Sequence, residues 1–98
     1  MNCLKMPVFE RLGERPFAHC ATLMDRADQG LVTIWMGGAY ETAPDVCLLE
    51  SRLLREADHW TTPRIIAEVP GHSMGQPVLL QRTASEVWFF YVVLMKED

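Results

Sequence analysis

The chain has 98 residues, of which 49% are hydrophobic and 22% are charged, and its formal net charge is −4 at pH 7. This length allows one small domain, and this apolar fraction predicts a folded chain rather than a disordered one. The acidic balance and the lack of a lysine and arginine cluster argue against a nucleic-acid-binding protein, which needs a basic surface.

The N-terminus and the cysteines bear on where the protein resides. The first ten residues, MNCLKMPVFE, lack the continuous apolar core of a signal peptide. The longest apolar run, residues 87–95, falls far short of the roughly 20 residues that a membrane helix needs. Cys3, Cys20 and Cys47 are odd in number and have no C-x-x-C spacing, which favours reduced thiols. We therefore expect a cytoplasmic protein without membrane association, metal or cofactor.

Short apolar runs separated by polar turns predict β-strands. Five runs fit this pattern: 18–25, 31–36, 64–69, 77–82 and 86–95. The first two are joined by RADQG, in which Gly30 suits the positive φ of a hairpin turn. The last two are joined by TAS, which predicts a second hairpin.

The segment DVCLLESRLLREA is ambiguous. Val46, Leu49, Leu53 and Ala57 recur at helical spacing with charged residues off that stripe, which favours an amphipathic helix. Strict alternation fits less well, because two adjacent leucine pairs break a period of two. From the residues alone, 46–57 is a helix or a strand, and the periodicity favours the helix.

The two predicted hairpins have similar patterns. Aligned without gaps at an offset of 56 residues, HCATLMDRADQGLVTIW faces GQPVLLQRTASEVWFFY. Leu23 then meets Leu79, and Trp35 meets Tyr91. The apolar pattern agrees well although few residues are identical, so this is either an internal repeat with the period of a propeller blade or a pair of unrelated hairpins.

The order of motifs resembles the start of sialidase-like propeller proteins that carry BNR (Asp-box) repeats. The matching pieces are AHCATLMD, LVTIWMGG, ETAPDVCLLESR, HWTTP, GHSMGQPVLL and VWFFYVV. The resemblance extends from about Phe17 to Val93. The Asp box itself, S-x-D-x-G-x-[ST]-W, keeps only its tryptophan, Trp60, and Gln76 replaces the usual asparagine before Pro77.

The resemblance implies an all-β fold, namely a partial β-propeller of about one and a half four-stranded blades from a six-bladed sialidase-like fold. The chain is then a single partial domain, with blade one at about 17–70 and a half blade at about 71–98. Residues 45–52 become the third strand, so we prefer strand to helix there, and residues 6–10 could be an outer strand. Exposed strand edges predict self-association.

The resemblance also implies a site for catalysis in the loop after residue 36. Tyr40, Glu41 and Asp45 form a cluster suited to glycoside hydrolysis, with Glu41 or Asp45 as general acid or base. Gly37 and Gly38 would let the loop turn tightly. The alternative is an ordinary strand connection in which Asp45 bonds its own turn backbone.

Further residues are expected to bind substrate. By the resemblance, His19, His72 and Gln76 face the ligand end, where imidazole and amide groups suit sugar hydroxyls. Arg15 lies roughly where these enzymes have the first arginine that holds a substrate carboxylate. The alternatives are a structural role for His19 and a solvated loop position for His72.

The function implied is that of a truncated sialidase-like glycoside hydrolase module, related to enzymes acting on terminal sugars of glycoconjugates. We expect it to be inactive alone, because the other arginines and the tyrosine nucleophile belong to blades that this chain lacks. Two alternatives stay open: a self-assembling, lectin-like carbohydrate-binding module, and a small interaction protein with no sugar role.

Overall fold

The described residues fold entirely into β-structure. A computed structural model describes residues 6–26 and 29–95, which contain six strands and no helix, and therefore no helix long and apolar enough to cross a membrane. The strands are β1 (Phe17–Arg26), β2 (Gly30–Gly38), β3 (Cys47–Leu53), β4 (Arg64–Ala67), β5 (Met74–Gln81) and β6 (Val87–Val93). They form an antiparallel sheet in the order β1-β2-β3-β4 and an antiparallel pair β5-β6. The all-β prediction is confirmed, and the arrangement is consistent with part of a propeller.

The ambiguous segment contains strand β3, so the preference for strand is confirmed. β3 is hydrogen-bonded to β2 on one side and to β4 on the other. Leu48 and Leu49 point to opposite faces of the sheet, and both are buried. A strand covered on both faces has no polar face to alternate with, which explains why the periodicity was misleading.

Residues 6–10 do not form the outer strand suggested by the sequence. They instead lie across one face of the four-stranded sheet, where Phe9 stacks on Trp35 with ring centroids 5.3 Å apart. The indole Nε1 of Trp60 donates a hydrogen bond to the carbonyl oxygen of Met6 at 3.1 Å. The apolar cluster on this face consists of Val8, Phe9, Leu12, Trp35, Cys47 and Leu49.

The β5–β6 hairpin covers the opposite face of the four-stranded sheet. The backbone N–H of Met74 donates to the carbonyl oxygen of Val46 at 3.1 Å, which links the two sheets. Leu48 and Met74 are fully buried between them. The core cluster comprises Val32, Ile34, Met36, Leu48, Ile66, Ala67, Met74, Leu79, Phe89 and Val93.

The two hairpins share one register. Thr22 pairs with Ile34, and the residues 56 positions later, Val78 and Phe90, also pair. All the remaining residue pairs of β5–β6 also match pairs of β1–β2 at the same offset. The backbone therefore supports the internal repeat. Gly30 closes the first hairpin with a φ of 96°, as expected for that turn.

The match between the hairpins extends to a β-bulge. The register shifts between residues 19 and 22 in β1 and between 75 and 78 in β5. Cys20 and Gln76 hold equivalent places in these bulges, with positive φ values of 55° and 52°. The bulge also explains how β5 can contain Pro77, which has no backbone N–H. A residue within a bulge does not have to donate a hydrogen bond to the neighbouring strand.

Candidate functional site

The candidate residues lie at one end of the two sheets. Strand pairing places the start of β1 beside the end of β2 and the start of β3, so the β2–β3 connection (39–46) and the segment before β1 meet there. The β4–β5 connection (68–73) joins them, because Leu94 N–H donates to the Ser73 carbonyl oxygen at 2.8 Å and Met74 bonds Val46. We call this the loop end. It carries Arg15, Tyr40, Glu41, Asp45 and His72, with His19 and Gln76 at the third positions of β1 and β5.

Asp45 organises the β2–β3 connection. Its Oδ1 accepts a hydrogen bond from the backbone N–H of Ala39 at 3.1 Å. Backbone bonds from Ala43 N–H to the Tyr40 carbonyl oxygen and from Val46 N–H to the Ala43 carbonyl oxygen, both 3.1 Å, close two successive turns. Asp45 therefore does bond the backbone of its own turn, as the alternative interpretation of the sequence expected. The residue is exposed, so the carboxylate is also open to a ligand.

Gly37 and Gly38 do not serve as the turn that the sequence suggested. Both lie within β2, and neither has a positive φ. Gly38 is needed for close packing instead, because an added Cβ would lie 2.6 Å from Val46 Cγ2 and 3.0 Å from Asp45 Oδ1. The missing side chain allows the chain entering β3 to approach β2 and to place the Asp45 carboxylate against Ala39.

We expect Gly38→Ala to lower the free energy of unfolding by about 1–3 kcal/mol, the usual cost of inserting a methyl group into a packed place. Urea denaturation followed by tryptophan fluorescence measures this. Gly13→Ala is the control, since an added Cβ there has no atom within 4 Å and its effect should stay within about 0.5 kcal/mol. Equal effects of the two substitutions would contradict the packing role.

Arg15 and Asp45 line one open hollow of about 430 Å³ between the two connections. Glu68, in the β4–β5 connection, lines it as well, so one guanidinium and two carboxylates border the same space. The Nε of Arg15 is buried without a hydrogen-bond partner among the described residues. The guanidinium group that lines this hollow is of a kind that suits a carboxylate or the hydroxyls of a sugar.

The Cys47 thiol lies next to this hollow. Burial raises the pKa of Cys47 above its usual value, and the neighbouring Arg15 opposes part of that effect. Cys47 Sγ is 3.8 Å from the carbonyl oxygen of Gly37, its hydrogen-bond acceptor. Cys47 is therefore a neutral thiol beside the hollow.

Tyr40 and Glu41 project from the tip of the β2–β3 connection, and both are exposed. The next residue, Thr42, has a φ of 63°, which turns the chain back toward β3. Neither Tyr40 nor Glu41 lines the hollow of Arg15 and Asp45. A ligand contacting all four residues would have to extend from the hollow across the loop tip.

The two candidate histidines have different surroundings. Nδ1 of His72 lies 3.1 Å from the Leu94 carbonyl oxygen, to which it donates, so its other ring nitrogen is an acceptor in the neutral form. His19 packs edge-on against Phe17 with ring centroids 5.9 Å apart. It lines a separate hollow of about 390 Å³, together with Phe9 and Trp35.

Glu68 is the residue of this site that the sequence reasoning missed. It stands one position beyond β4 in AEVPGHS, a place typical of a residue that ends a strand. Its proximity to Arg15 depends on the packing of the segment before β1, which no local pattern reveals. No group of three or more His, Cys, Asp or Glu side chains among residues 6–26 and 29–95 is placed to hold a metal.

The β3–β4 turn, at the opposite end, lies where the sequence has lost the Asp-box residues. Thr61 N–H donates to the Arg52 carbonyl oxygen at 2.8 Å, and Arg52 N–H donates to Thr61 Oγ1 at 2.9 Å. Ser51 Oγ donates to the Thr61 carbonyl oxygen at 2.5 Å. Thr61 and Ser51 thus hold the β3–β4 connection against β3 in place of the missing signature residues.

Comparison with protein-family models matches residues 29–97 to the BNR repeat-like domain. The matched range contains β2 through β6 and both connections of the loop end. It bears out the resemblance to sialidase-like BNR repeat proteins. Searches of curated proteins and of solved structures give no significant match.

Proposed function

Since the chain belongs to the BNR repeat-like domain family, we propose that it is a sialidase-like glycoside hydrolase module that binds a terminal sugar of a glycoconjugate at the loop end. The observation that carries this proposal is the hollow bordered by Arg15, Asp45 and Glu68. Family membership alone would not select a surface, whereas this hollow combines cationic donors with anionic acceptors in one open space.

The chemistry of these groups fits a sugar with a carboxylate or with several hydroxyls. The guanidinium of Arg15 lines the hollow and suits donation to a carboxylate or to hydroxyl oxygens. The carboxylates of Asp45 and Glu68 accept hydrogen bonds from hydroxyl groups on the same ligand. Tyr40, Glu41 and His72 then contact the part of the ligand that extends beyond the hollow.

We propose that this module binds without turning over its ligand on its own. General acid catalysis in glycoside hydrolysis needs a carboxyl group held in an enclosed environment beside the scissile bond. Glu41, the first candidate for this role, is exposed at the loop tip. One carboxylate oxygen of Asp45 accepts a hydrogen bond from the backbone of the turn. In a completed site, Glu41 or Asp45 would serve as general acid or base.

The second candidate function is a lectin-like module that recognises sugars without any hydrolytic partner. The openness of the hollow favours it, because an open surface suits reversible recognition of a glycan end. Self-association through strand edges belongs to this proposal, since β1 and β4 flank the larger sheet and each presents one unpaired edge in the described chain.

We expect Arg15→Gln to weaken sugar binding at least tenfold, because a charge-assisted contact contributes roughly 1.5–3 kcal/mol. The measurement is an NMR titration of labelled protein with sialyllactose, which carries a carboxylate, and with lactose, which does not. Loss confined to sialyllactose assigns Arg15 to a carboxylate, and loss for both assigns it to hydroxyls. By the same titration, Glu41→Gln tests the proposed contact beyond the hollow, and His19→Ala tests whether the separate hollow that His19 lines also binds sugar.

Arg55→Gln is the matched control, because Arg55 lies beyond β3 at the opposite end and pairs with Asp25 at 3.7 Å. It should bind like the unmodified protein. Absence of binding by the unmodified protein, or equal binding by Arg15→Gln, would rule out the proposed site. Release of free sugar from sialyllactose by the chain alone would overturn the proposed lack of turnover.

A further inference from the structure

One face of the β5–β6 hairpin is apolar and exposed. This outer face consists of Val78, Leu80, Trp88, Phe90 and Val92, which are between 40% and 53% exposed. Trp88 and Phe90 pack edge-on with ring centroids 5.9 Å apart, so they form one surface rather than separate side chains. The alternate residues of the hairpin face the core. A continuous apolar patch of this kind is typical of an interaction surface.

The internal repeat indicates what such a face accepts. At the offset of 56 residues, Trp88 and Phe90 correspond to Val32 and Ile34 of β2. Val32 and Ile34 are buried, and the side chains packed on their cluster include Phe89 of the second hairpin. The face of the first repeat that carries Val32 and Ile34 therefore packs against the inner face of the second repeat. The outer face of β5–β6 is the equivalent surface of the second repeat, and no third repeat covers it among the described residues.

The chain carries the matching face on its first hairpin. Leu79, which packs on the core cluster, corresponds to Leu23, and Leu23 is 63% exposed. Beside Leu23 lies the 390 Å³ hollow lined by Val8, Phe9, Ala18, Thr33 and Trp35 among others. We call Leu23 together with this hollow the acceptor face. Its concavity suits the projecting rings of the outer face.

Charges at the same end of the two faces are complementary. Arg82, just beyond β5, lies over the Trp88 ring at 5.4 Å from its centroid. Asp25, near the end of β1, is exposed on the side of Leu23. Arg82 and Asp25 therefore stand at corresponding ends of the two hairpins, where each also forms an exposed ion pair within its own chain, Arg82 with Glu86 and Asp25 with Arg55. Docking in one register would bring these two exposed pairs together.

We propose that a second copy of this chain packs its acceptor face against the outer face of β5–β6, head to tail. Each copy then offers one outer face and one acceptor face, and such a heterologous contact repeats until a ring closes. The contact buries sheet faces, unlike pairing of strand edges, and it covers the hollow that His19 lines but not the hollow of Arg15, Asp45 and Glu68.

Sedimentation velocity over a broad range of concentration tests this arrangement. The unmodified chain should form oligomers, whereas Phe90→Glu and Leu23→Glu should each remain monomeric. An equimolar mixture of these two variants should form a dimer, because the Phe90→Glu copy keeps its acceptor face and the Leu23→Glu copy keeps its outer face. Leu80→Glu replaces Phe90→Glu if the melting temperature shows that the latter is unfolded.

Leu54→Glu is the matched control, since Leu54 is 49% exposed, as is Phe90, and lies outside both faces. It should assemble like the unmodified chain. A monomeric unmodified chain would overturn the proposal. Normal assembly of Leu23→Glu would replace it with packing of two outer faces, and a mixture that stays monomeric would exclude the head-to-tail contact.

Discussion

Leu48→Ala should lower the free energy of unfolding by about 3 kcal/mol, within the 2–5 kcal/mol range for leucine truncation in a core. Leu48 is 0% exposed and lies on the central strand β3, between the sheet that contains it and the β5–β6 hairpin. Truncation removes apolar contacts with both sheets and leaves a cavity that rigid strands cannot close. Urea denaturation gives the change in free energy.

Leu54→Ala serves as the control for this substitution, because Leu54 lies just beyond β3 and is half exposed. Its effect should stay within about 0.5 kcal/mol. Since small domains are stable by only about 5–15 kcal/mol, the difference between the two variants is easily resolved. Similar losses in both would mean that the β5–β6 hairpin does not cover β3 in solution.

Acid should destabilise the protein through Glu50. Its side chain is 8% exposed and contacts Arg64 Nη2 at 2.9 Å and Arg52 Nε at 3.2 Å. Burial alone would raise the pKa of Glu50, but the hydrogen bonds and positive charges of the two arginines outweigh it and hold the pKa below the ordinary 4.5. The carboxylate therefore stabilises the fold fully above about pH 4.5, and this contribution is lost as the pH falls through the lowered pKa.

Glu50→Gln should lower the free energy of unfolding by about 2 kcal/mol at pH 7, because it removes the charged acceptor of the hydrogen bonds from two partly exposed guanidinium groups. Its stability should also fall less steeply than that of the unmodified protein below pH 4.5. Urea denaturation at a series of pH values measures both effects. Glu86→Gln is the control, since the Arg82–Glu86 pair is exposed and should contribute less than about 1 kcal/mol. Parallel pH profiles for Glu50→Gln and the unmodified protein would contradict the role of Glu50.

The hairpins were predictable from local pattern, and β3 was not. In β1–β2 and β5–β6, two runs rich in β-branched and aromatic residues are connected by a short polar turn, and Gly30 with its positive φ identifies one of these turns. β3 required the family resemblance, because burial on both faces removes alternation from its sequence. For residues 6–10 the sequence suggested a strand where the structure has none. Phe9 in this segment is apolar because it covers Trp35, not because it belongs to a sheet.

The position of the candidate residues in the fold was predictable from the sequence, and their arrangement was less so. The motifs placed Arg15, Asp45 and His72 at the loop end, because strand order determines which connections meet there. That Arg15 and Glu68 border one hollow depends on contacts between distant segments. The role of Gly38 was equally hidden, since a glycine that permits close packing looks the same in sequence as one that permits a turn.

The bulges of Cys20 and Gln76 have a consequence for recombination of this fold. Because the two hairpins agree in strand pairing, in the position of the bulge and in the positive φ within it, the paired strands of the two hairpins have equivalent backbones. A designer can transplant one hairpin into the position of the other and redesign only the side chains that meet a neighbour. An array extended in this way would grow in steps of 56 residues, with the same strand pairing repeated in each hairpin.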